Sequence, residues 1–179
     1  MQLERVKNEE FEGIFEEHKN AVYQFAWRMS NSSTVAEDIT QDVFLALLRG
    51  EVQLQPSRGS LKALLLGVAR NLVWKRWRQD RRWSLLDEEA FVATPLIVEN
   101  LRVQEAVSAA VGQLPPLQRE TLILATYEEL SAQEIAETLA MEVGTVKARL
   151  HRARENMKRM LAPFRSAEVR IEKKYGTAE

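Results

Sequence analysis

Apolar residues recur at helical spacing along most of this chain, which restricts the folds open to it more than any other feature. In residues 9–29, for example, Phe11, Phe15, Val22 and Phe25 fall on one side of a helix, and acidic residues fall on the other. Turn formers are scarce, since the 179 residues include only 7 Gly and 5 Pro, which disfavours a protein of many short strands. We therefore predict an all-α protein.

Capping residues and prolines divide this pattern into separate helices. Thr34 and Glu37 fit a capping box at the start of the second helix, and Ser60 is placed to cap the third. Leu114-Pro115-Pro116 ends one helix and starts the next, because proline is tolerated in a first turn but not in a helix interior. The predicted helices span about 9–29, 35–48, 61–78, 101 to the prolines, 116–128, 131–140 and 145–160.

An acidic segment separates the helices into two groups. Residues 84–102 contain four acidic residues, one arginine and Pro95, which interrupts any helix. We predict two small helical domains, at 1–83 and 103–162, joined by a linker at 84–102 and followed by a tail at 163–179. A helical unit of this size can bury a modest core of its own.

The formal charge of −1 is the sum of segments with opposite charges. Residues 62–83 carry seven basic residues and one acidic residue, a net charge of +6, and residues 147–159 carry six and one, a net charge of +5. One basic helix is often only a solvated face. Two of them, one in each predicted domain, favour a nucleic-acid partner.

The C-terminal basic helix belongs to a predicted helix-turn-helix. Ser131 and Glu134 form a capping box for the first helix, residues 141–144 supply the turn, and Thr145 starts the second helix. The first helix buries three residues: Ile135, Ala136 and Leu139. On the second helix one apolar stripe faces the core: Val146, Leu150, Ala153 and Met157.

Basic residues cover the opposite face of that second helix, which fits the major groove of duplex DNA. Arg152 is placed to contact guanine, and Lys147 and His151 are the next candidates for base contacts. Three other basic residues are better placed for phosphates: Arg149, Arg154 and Lys158. The alternative is an ordinary helical hairpin with a solvated basic surface.

Tryptophans accompany the N-terminal basic helix. Its predicted core stripe consists of four aliphatic residues: Leu61, Leu65, Val68 and Leu72. Arg70 and Trp77 then lie on the opposite side, with Trp74 nearby. Aromatic rings among cations suit unpaired DNA, because bases stack on the rings while the cations meet the backbone. The alternative is that Trp74, Trp77 and Trp83 pack against the first helix or the linker.

The second helix carries an acidic and partly apolar surface, formed by Glu37, Asp38, Gln41, Asp42 and Phe44. Such a surface repels DNA and suits a protein partner. A solvated face is equally compatible with the helical periodicity.

Several function classes are disfavoured. The chain has no Cys and two distant His, which argues against disulfides and metal sites. It offers no nucleophile arrangement and no Gly-rich phosphate loop, so we predict neither an enzyme nor a cofactor. No apolar stretch approaches the roughly 20 residues that span a bilayer, and the first residues do not resemble a signal peptide. We predict a cytoplasmic protein without membrane insertion.

Several segments in this order resemble the bacterial RNA polymerase sigma factors of the extracytoplasmic-function class. Residues 36–44 (AEDITQDVF) resemble the polymerase-docking motif, and residues 64–72 (LLLGVARNL), followed by basic residues, resemble the promoter-melting helix. Residues 114–120, 130–137 and 144–154 (GTVKARLHRAR) resemble the final domain. Each match is moderately specific alone, and their order around an acidic linker is strongly specific. The resemblance covers about 10–82 and 103–161.

This resemblance implies which residues bind the polymerase and which bind each promoter element. The surface on the second helix, made of Glu37, Asp38, Gln41, Asp42 and Phe44, would dock on core RNA polymerase. The minus-ten promoter element would be bound by the loop at 53–60 and the third helix, through Arg58, Arg70, Asn71, Trp74, Lys75, Arg76, Trp77 and Arg78. The minus-thirty-five element would be read as duplex by Thr145, Lys147, Ala148, Arg149, His151, Arg152, Arg154 and Lys158.

The resemblance further implies that catalysis remains with the polymerase, that an anti-sigma factor masks both domains, and that the protein is monomeric when free of partners. The chain departs from the family at Leu61, Leu64 and Ala140, where the family usually has an aromatic residue, Trp and Gly. Lys75 and Ala148 replace a frequent Asp and a frequent Ser near the DNA, so promoter preference is not inherited. The competing reading is a helix-turn-helix regulator that never joins the polymerase.

Overall fold

The computed structural model describes residues 8–52, 60–79, 91–96 and 103–164. This part of the chain contains seven α-helices and no strand, as the sequence predicts. The helices are α1 (Asn8–Ser30), α2 (Ser33–Leu48), α3 (Leu61–Gln79), α4 (Val103–Gln113), α5 (Pro116–Thr126), α6 (Ala132–Leu139) and α7 (Val143–Met160). Arg58, Trp83, most of the predicted linker and the tail from 165 lie outside the described residues. No described helix is long and apolar enough to cross a bilayer.

Helices α1, α2 and α3 pack together around the N-terminal part of the core. Phe25 and Met29 of α1, Leu47 of α2 and Leu65 of α3 are fully buried there. Phe44 of α2 is also buried, with its ring edge against Phe15 at a centroid distance of 4.9 Å. Burial of such aromatic and aliphatic side chains is the main favourable term in folding a small helical unit.

The start of α2 differs from the prediction. Ser32, not Thr34, is the N-cap, and its hydroxyl accepts a hydrogen bond from the Val35 amide at 3.4 Å. Asn31 adopts a positive φ of 56°, which ends α1 and leaves Ser32 in the extended conformation that an N-cap requires. The predicted capping box of Thr34 with Glu37 is therefore wrong. The predicted cap at Ser60 is confirmed, since its hydroxyl accepts from the Ala63 amide at 3.2 Å.

The buried side of α3 is also wider than predicted. Of the predicted stripe only Leu65 is fully buried, while Leu61, Val68 and Leu72 are half-buried. The other buried residues of α3 are Ala63, Leu66, Ala69 and Val73. The physical reason is that α3 packs against α1 and α2 on one side and against α6 on the other, so more than one stripe is removed from water.

Helices α4 to α7 form the C-terminal part, and their local signals match the sequence. The capping box of α6 is present, with the Glu134 carboxylate accepting from the Ser131 amide at 2.9 Å and the Glu134 amide donating to the Ser131 hydroxyl. These hydrogen bonds hold the pKa of Glu134 below its usual value. Ile135, Ala136 and Leu139 are buried, as predicted.

The turn of the helix-turn-helix is shorter than predicted, because α7 begins at Val143 instead of Thr145. Ala140 ends α6 in the left-handed conformation, with φ 52° and ψ 53°. Its amide donates to carbonyl oxygens of the preceding turn. Glycine is the usual residue in this conformation, since a Cβ is disfavoured there. The alanine therefore adds local strain at the corner between the two helices.

The described part of the predicted linker, residues 91–96, lies against the folded body. The Leu96 amide donates to the Met160 carbonyl at the end of α7, at 3.0 Å. Phe91 and Leu96 pack against the core, whereas Val92 is exposed. Apolar contact and a main-chain hydrogen bond thus fix this segment to the C-terminal helices.

The N-terminal and C-terminal helices share one continuous apolar core. Helix α1 packs against α4 and α5, and α3 packs against α6. Gly67 of α3 faces Thr138 of α6, so that a Cβ placed on Gly67 would lie 3.5 Å from the Thr138 methyl group. The two helical groups therefore lie side by side, with α1 and α3 at their contact.

We predict that Ala140→Gly raises the free energy of unfolding by about 0.5–1 kcal/mol, because glycine relieves the left-handed strain. Chemical denaturation followed by circular dichroism measures the change. Ala148→Gly is the matched control: Ala148 lies exposed in the interior of α7, so the same substitution should lower stability by about 0.5–1 kcal/mol there. A loss of stability in Ala140→Gly would contradict the strain at the turn.

Candidate nucleic-acid interface

Helix α7 presents an exposed, mostly basic face. Val146, Leu150 and Ala153 anchor its other side in the core, as predicted, while Met157 is half-buried and Met160 is buried. Seven of the eight residues predicted to meet duplex DNA are exposed: Thr145, Lys147, Ala148, His151, Arg152, Arg154 and Lys158. Their side chains are thus available to an external ligand along the length of the helix.

The remaining predicted residue, Arg149, is half-buried beside the turn, where its guanidinium donates to the Met141 sulfur at 3.4 Å. Lys158 forms an ion pair with Glu155 at 2.7 Å. Because both partners of that pair are largely exposed, it contributes little and does not keep Lys158 from a phosphate. The structure therefore separates Arg149, which supports the turn, from the rest of the face.

The residues of α3 that are predicted to contact DNA fall into an exposed set and a half-buried set. Asn71, Lys75 and Arg78 are exposed. Three others are half-buried and contact residues of α5: Arg70, Trp74 and Trp77. The two tryptophan rings meet edge to face, at a centroid distance of 5.4 Å. The Trp74 indole contacts Glu120 of α5 and the Trp77 ring lies beside Arg119 of the same helix, whereas Trp83 and residues 80–90 lie outside the described residues.

Glu120 of α5 accepts hydrogen bonds from two of these side chains. Its carboxylate accepts from the Arg70 guanidinium at 3.0 and 3.3 Å and from the Trp74 indole Nε1 at 2.7 Å. Glu120 is fully buried, and the Arg70 side chain is 22% exposed. A buried carboxylate needs such partners, because an unpaired charge is costly to remove from water.

Arg119, the preceding residue, bridges the same two groups of helices. Its guanidinium donates to the Met29 carbonyl at the end of α1 at 2.8 Å, and to the Gly112 and Leu114 carbonyls at the α4–α5 turn. The guanidinium also lies 5.9 Å from the centre of the Trp77 ring. Burial lowers the pKa of Arg119 to about 10, so it remains charged at neutral pH.

The contacts of Arg119 and Glu120 were not predicted, although one feature of the sequence indicated that polar residues of α5 are buried. Residues 118–121 of α5 are four consecutive polar residues. Successive helical residues are about 100° apart, so four in a row cannot all face solvent on a packed helix. The structure buries Gln118, Glu120 and Thr121, and Gln118 accepts from the Asn156 amide group at 2.8 Å.

The acidic surface of α2 is exposed through Glu37, Asp38, Gln41 and Asp42. Phe44 does not belong to it: only 3% of Phe44 is exposed, because the ring packs on α1 beneath the surface. Asp38 pairs with Arg76 of α3 at 3.0 Å, which links the acidic surface to the basic helix. Their side chains are 49% and 41% exposed, so the pair contributes about 0–1 kcal/mol and is easily exchanged for another partner.

Among the described residues, no three potential ligands come together to hold a metal ion. His18 lies buried in α1 and His151 lies exposed on α7. The charged features of this part of the chain are therefore two basic helices, one acidic helix face and the buried ion pairs between the helical groups.

Comparison with known proteins assigns the chain to a family. Residues 14–83 match the family model for sigma-70 region 2, and residues 104–157 match the model for sigma-70 region 4. EcfG of Rhodopseudomonas palustris, an ECF RNA polymerase sigma factor, is 31% identical over 141 residues, which cover 76% of this chain and 77% of EcfG. The chain belongs to the ECF class of RNA polymerase sigma factors. Sigma factors are promoter-recognising subunits of RNA polymerase, and the matches do not favour the competing regulator.

A second curated relative and one solved structure are also similar to this chain. The ECF sigma factor SigE of Mycolicibacterium smegmatis is 31% identical over 162 residues; the match covers 86% of this chain and 62% of the length of SigE. A solved structure of the sigma factor RpoE in complex with the anti-sigma factor NepR, from Bartonella quintana, has the same fold. Its TM-score is 0.70 at 24% identity, over 86% of this chain and 98% of RpoE.

We predict that Arg152→Ala weakens binding of the full-length chain to its preferred duplex by about 1–3 kcal/mol and relaxes the sequence preference at one base pair. Arg152 is exposed near the middle of the free face of α7. The preference can be measured by selection from a duplex library, followed by titration of selected duplexes.

Arg154→Ala is the matched control, because an arginine that contacts phosphate contributes affinity without sequence information. It should weaken all duplexes about equally. The assignment of Arg152 fails if its substitution leaves both affinity and preference unchanged.

Proposed function

We propose that the chain recruits core RNA polymerase to promoters in which α7 reads the minus-thirty-five element as duplex and α3 binds the minus-ten element as a single strand. The observation that carries this proposal is the exposed basic face of α7, held on a capped helix-turn-helix. A helix presented in this way enters the major groove, where base edges carry sequence information. We assign base contacts to Arg152, Lys147 and His151, and phosphate contacts to Arg154 and Lys158.

On α3 we assign minus-ten contacts to Asn71, Lys75 and Arg78, which are exposed, and to Arg70, Trp74, Arg76 and Trp77. Stacking of bases on the two tryptophan rings supplies affinity for an unpaired strand, and the cations supply attraction to its backbone. A base flipped out of the promoter stack would be bound here. Arg58 keeps its predicted role as a contact to the minus-ten element.

We assign polymerase docking to the acidic face of α2. Glu37, Asp38, Gln41 and Asp42 are exposed and close to one another on one helix. Phe44 contributes indirectly, because its ring packs against Phe15 of α1 and so anchors α2. Acidic side chains beside a DNA-binding helix keep this face away from phosphate and suit a basic protein surface.

Other features of the proposal follow from this role. The division into units at 1–83 and 103–162, with a linker at 84–102, assigns one promoter element to each unit. RNA synthesis remains with the polymerase, the chain itself is not an enzyme, and it acts in the cytoplasm, where the polymerase is. The solved relative RpoE is bound to the anti-sigma factor NepR, and we propose a protein inhibitor of this kind for the present chain, which is otherwise monomeric.

Run-off transcription tests the proposal directly. Core RNA polymerase, with and without the full-length chain, transcribes a library of genomic fragments, and the products are sequenced. Defined start sites that depend on the chain are expected. The proposal is wrong if the chain neither binds core polymerase in a pull-down nor changes the transcripts.

We predict that Asp38→Ala weakens binding to core polymerase at least about tenfold, equivalent to about 1.4 kcal/mol, because one charge of the docking face is lost. Biolayer interferometry with immobilised core polymerase measures the affinity. Glu12→Ala is the matched control, since Glu12 is an exposed acid on α1, and it should bind normally. Equal affinities for both variants would remove Asp38 from the docking face.

A further inference from the structure

A cavity of about 510 Å³ opens between the end of α1, one face of α4 and the end of α5. Its volume lies in the range of about 300–1,000 Å³ that is usual for small-molecule sites. None of the residues that we assign to promoter DNA or to core polymerase lines it. The function proposed above therefore does not account for this cavity.

Helix α4 supplies the apolar wall of the cavity. Val103, Val107 and Val111 recur every four residues and so form one row along the helix. Their exposure decreases along that row: Val103 is 57% exposed, Val107 is half-buried, and Val111 is 3% exposed. The cavity thus extends from a mouth at the start of α4 to a floor in the common core.

A second row on α4 leaves the cavity open. It consists of Gln104, Ser108 and Gly112, which lie next to the valines on the helix surface. A Cβ placed on Gly112 would meet no neighbouring part of the chain within 4 Å. Small side chains at these positions therefore preserve the space, and the Gln104 amide and the Ser108 hydroxyl supply neutral hydrogen-bonding groups.

Aromatic residues line the cavity from the other helices. Trp27 comes from the last turns of α1, and Tyr127 is the C-cap of α5. Tyr127 and Val103 are two of the four large apolar residues that are exposed in the described part of the chain. Exposed apolar residues that gather at one place indicate a binding site more strongly than scattered ones do.

Arg28 gives the cavity a positive charge. It is the one charged residue among the described residues that line the cavity, and it is half-buried. Its guanidinium lies 4.0 Å from the centre of the Tyr127 ring. No acid in the described ranges forms an ion pair with it. Because a guanidinium carries five N–H donors in a planar fork, contact with a ring leaves donors available to a carboxylate.

We propose that this cavity binds a small organic anion with a flat aromatic body, of the aromatic carboxylate class. The carboxylate accepts hydrogen bonds from Arg28, and the aromatic body packs between the Trp27 ring and the valine row. Charge complementarity favours an anion, since a cation would meet an arginine and no acid in this lining. The proposal goes beyond the sigma role and does not rest on it.

Titration with cinnamate tests the proposal on the full-length chain. The four tryptophans give four indole N–H signals in an isotope-labelled sample, and the Trp27 signal is assigned by its loss in Trp27→Phe. Cinnamate should shift the Trp27 signal saturably, with a Kd on the order of 1 mM or tighter for a ligand of this size. Cinnamamide, a neutral molecule of the same shape, should bind on the order of tenfold more weakly.

Arg28→Gln tests the positive charge. This variant should bind cinnamate on the order of tenfold more weakly than the parent chain and cinnamamide equally well, because only the charged contact is lost. Arg49→Gln is the matched control, since Arg49 is an exposed arginine at the end of α2, and it should bind both compounds as the parent does.

Gly112→Leu tests the cavity itself. Its side chain should fill the space beside α4 and abolish the binding of both compounds, with the circular dichroism spectrum unchanged. Gly13→Leu is the matched control, because a Cβ on Gly13 of α1 also meets nothing within 4 Å and Gly13 does not line the cavity. If Gly112→Leu unfolds, the comparison of Arg28→Gln with Arg49→Gln decides.

The other outcomes are equally decisive. A Trp27 signal that does not respond to cinnamate, or equal cinnamate binding by Arg28→Gln and the parent chain, overturns the proposal. Equal affinity for octanoate rejects the aromatic class, and displacement of cinnamate by equimolar sulfate rejects the organic anion in favour of a simple anion site. Neither polymerase nor DNA takes part in these measurements, so their failure leaves the sigma role untouched.

Discussion

One buried carboxylate lies where the two helical groups, which share an apolar core, meet. Glu120 has no exposure to water, and a charge in that position persists only with partners that replace its hydration. Arg70 and Trp74 are those partners, and both come from the other group of helices. These hydrogen bonds hold the Arg70 and Trp74 side chains of α3 against α5.

The charged surfaces of the molecule differ in how far their side chains are exposed. Where no buried acid is involved, as on α7 and the acidic face of α2, the charged side chains remain open to partners. Arg119 reinforces the junction by donating to carbonyls of both helical groups.

Local features of the fold could be predicted from the sequence, because they depend on neighbouring residues. The seven helices, the Ser131 and Glu134 capping box and the core stripe of α7 through Ala153 follow from periodicity and capping. The N-cap of α2 was misplaced by two residues, since the left-handed Asn31 decides where α1 ends. The exposed face of α7 was predicted almost completely, with Arg149 as the exception.

Features that depend on distant parts of the chain could not be predicted in this way. Phe44 looked like a surface residue because the periodicity of α2 does not show that α1 covers it. The buried side predicted for α3 was too narrow, because nothing in the sequence of that helix indicates its second neighbour, α6. Glu120 lies 50 residues from Arg70, and only its place in a run of polar residues hinted that it had to be buried.

The most direct test of this account is the distance between the two helical groups in the free full-length chain. Ser33 on α2 and Gln133 on α6 are both exposed, and in a chain without Cys a cysteine pair at these positions takes spin labels selectively for pulsed dipolar spectroscopy. The account predicts one narrow, short distance in the free chain. A broad distribution in the free chain would contradict it.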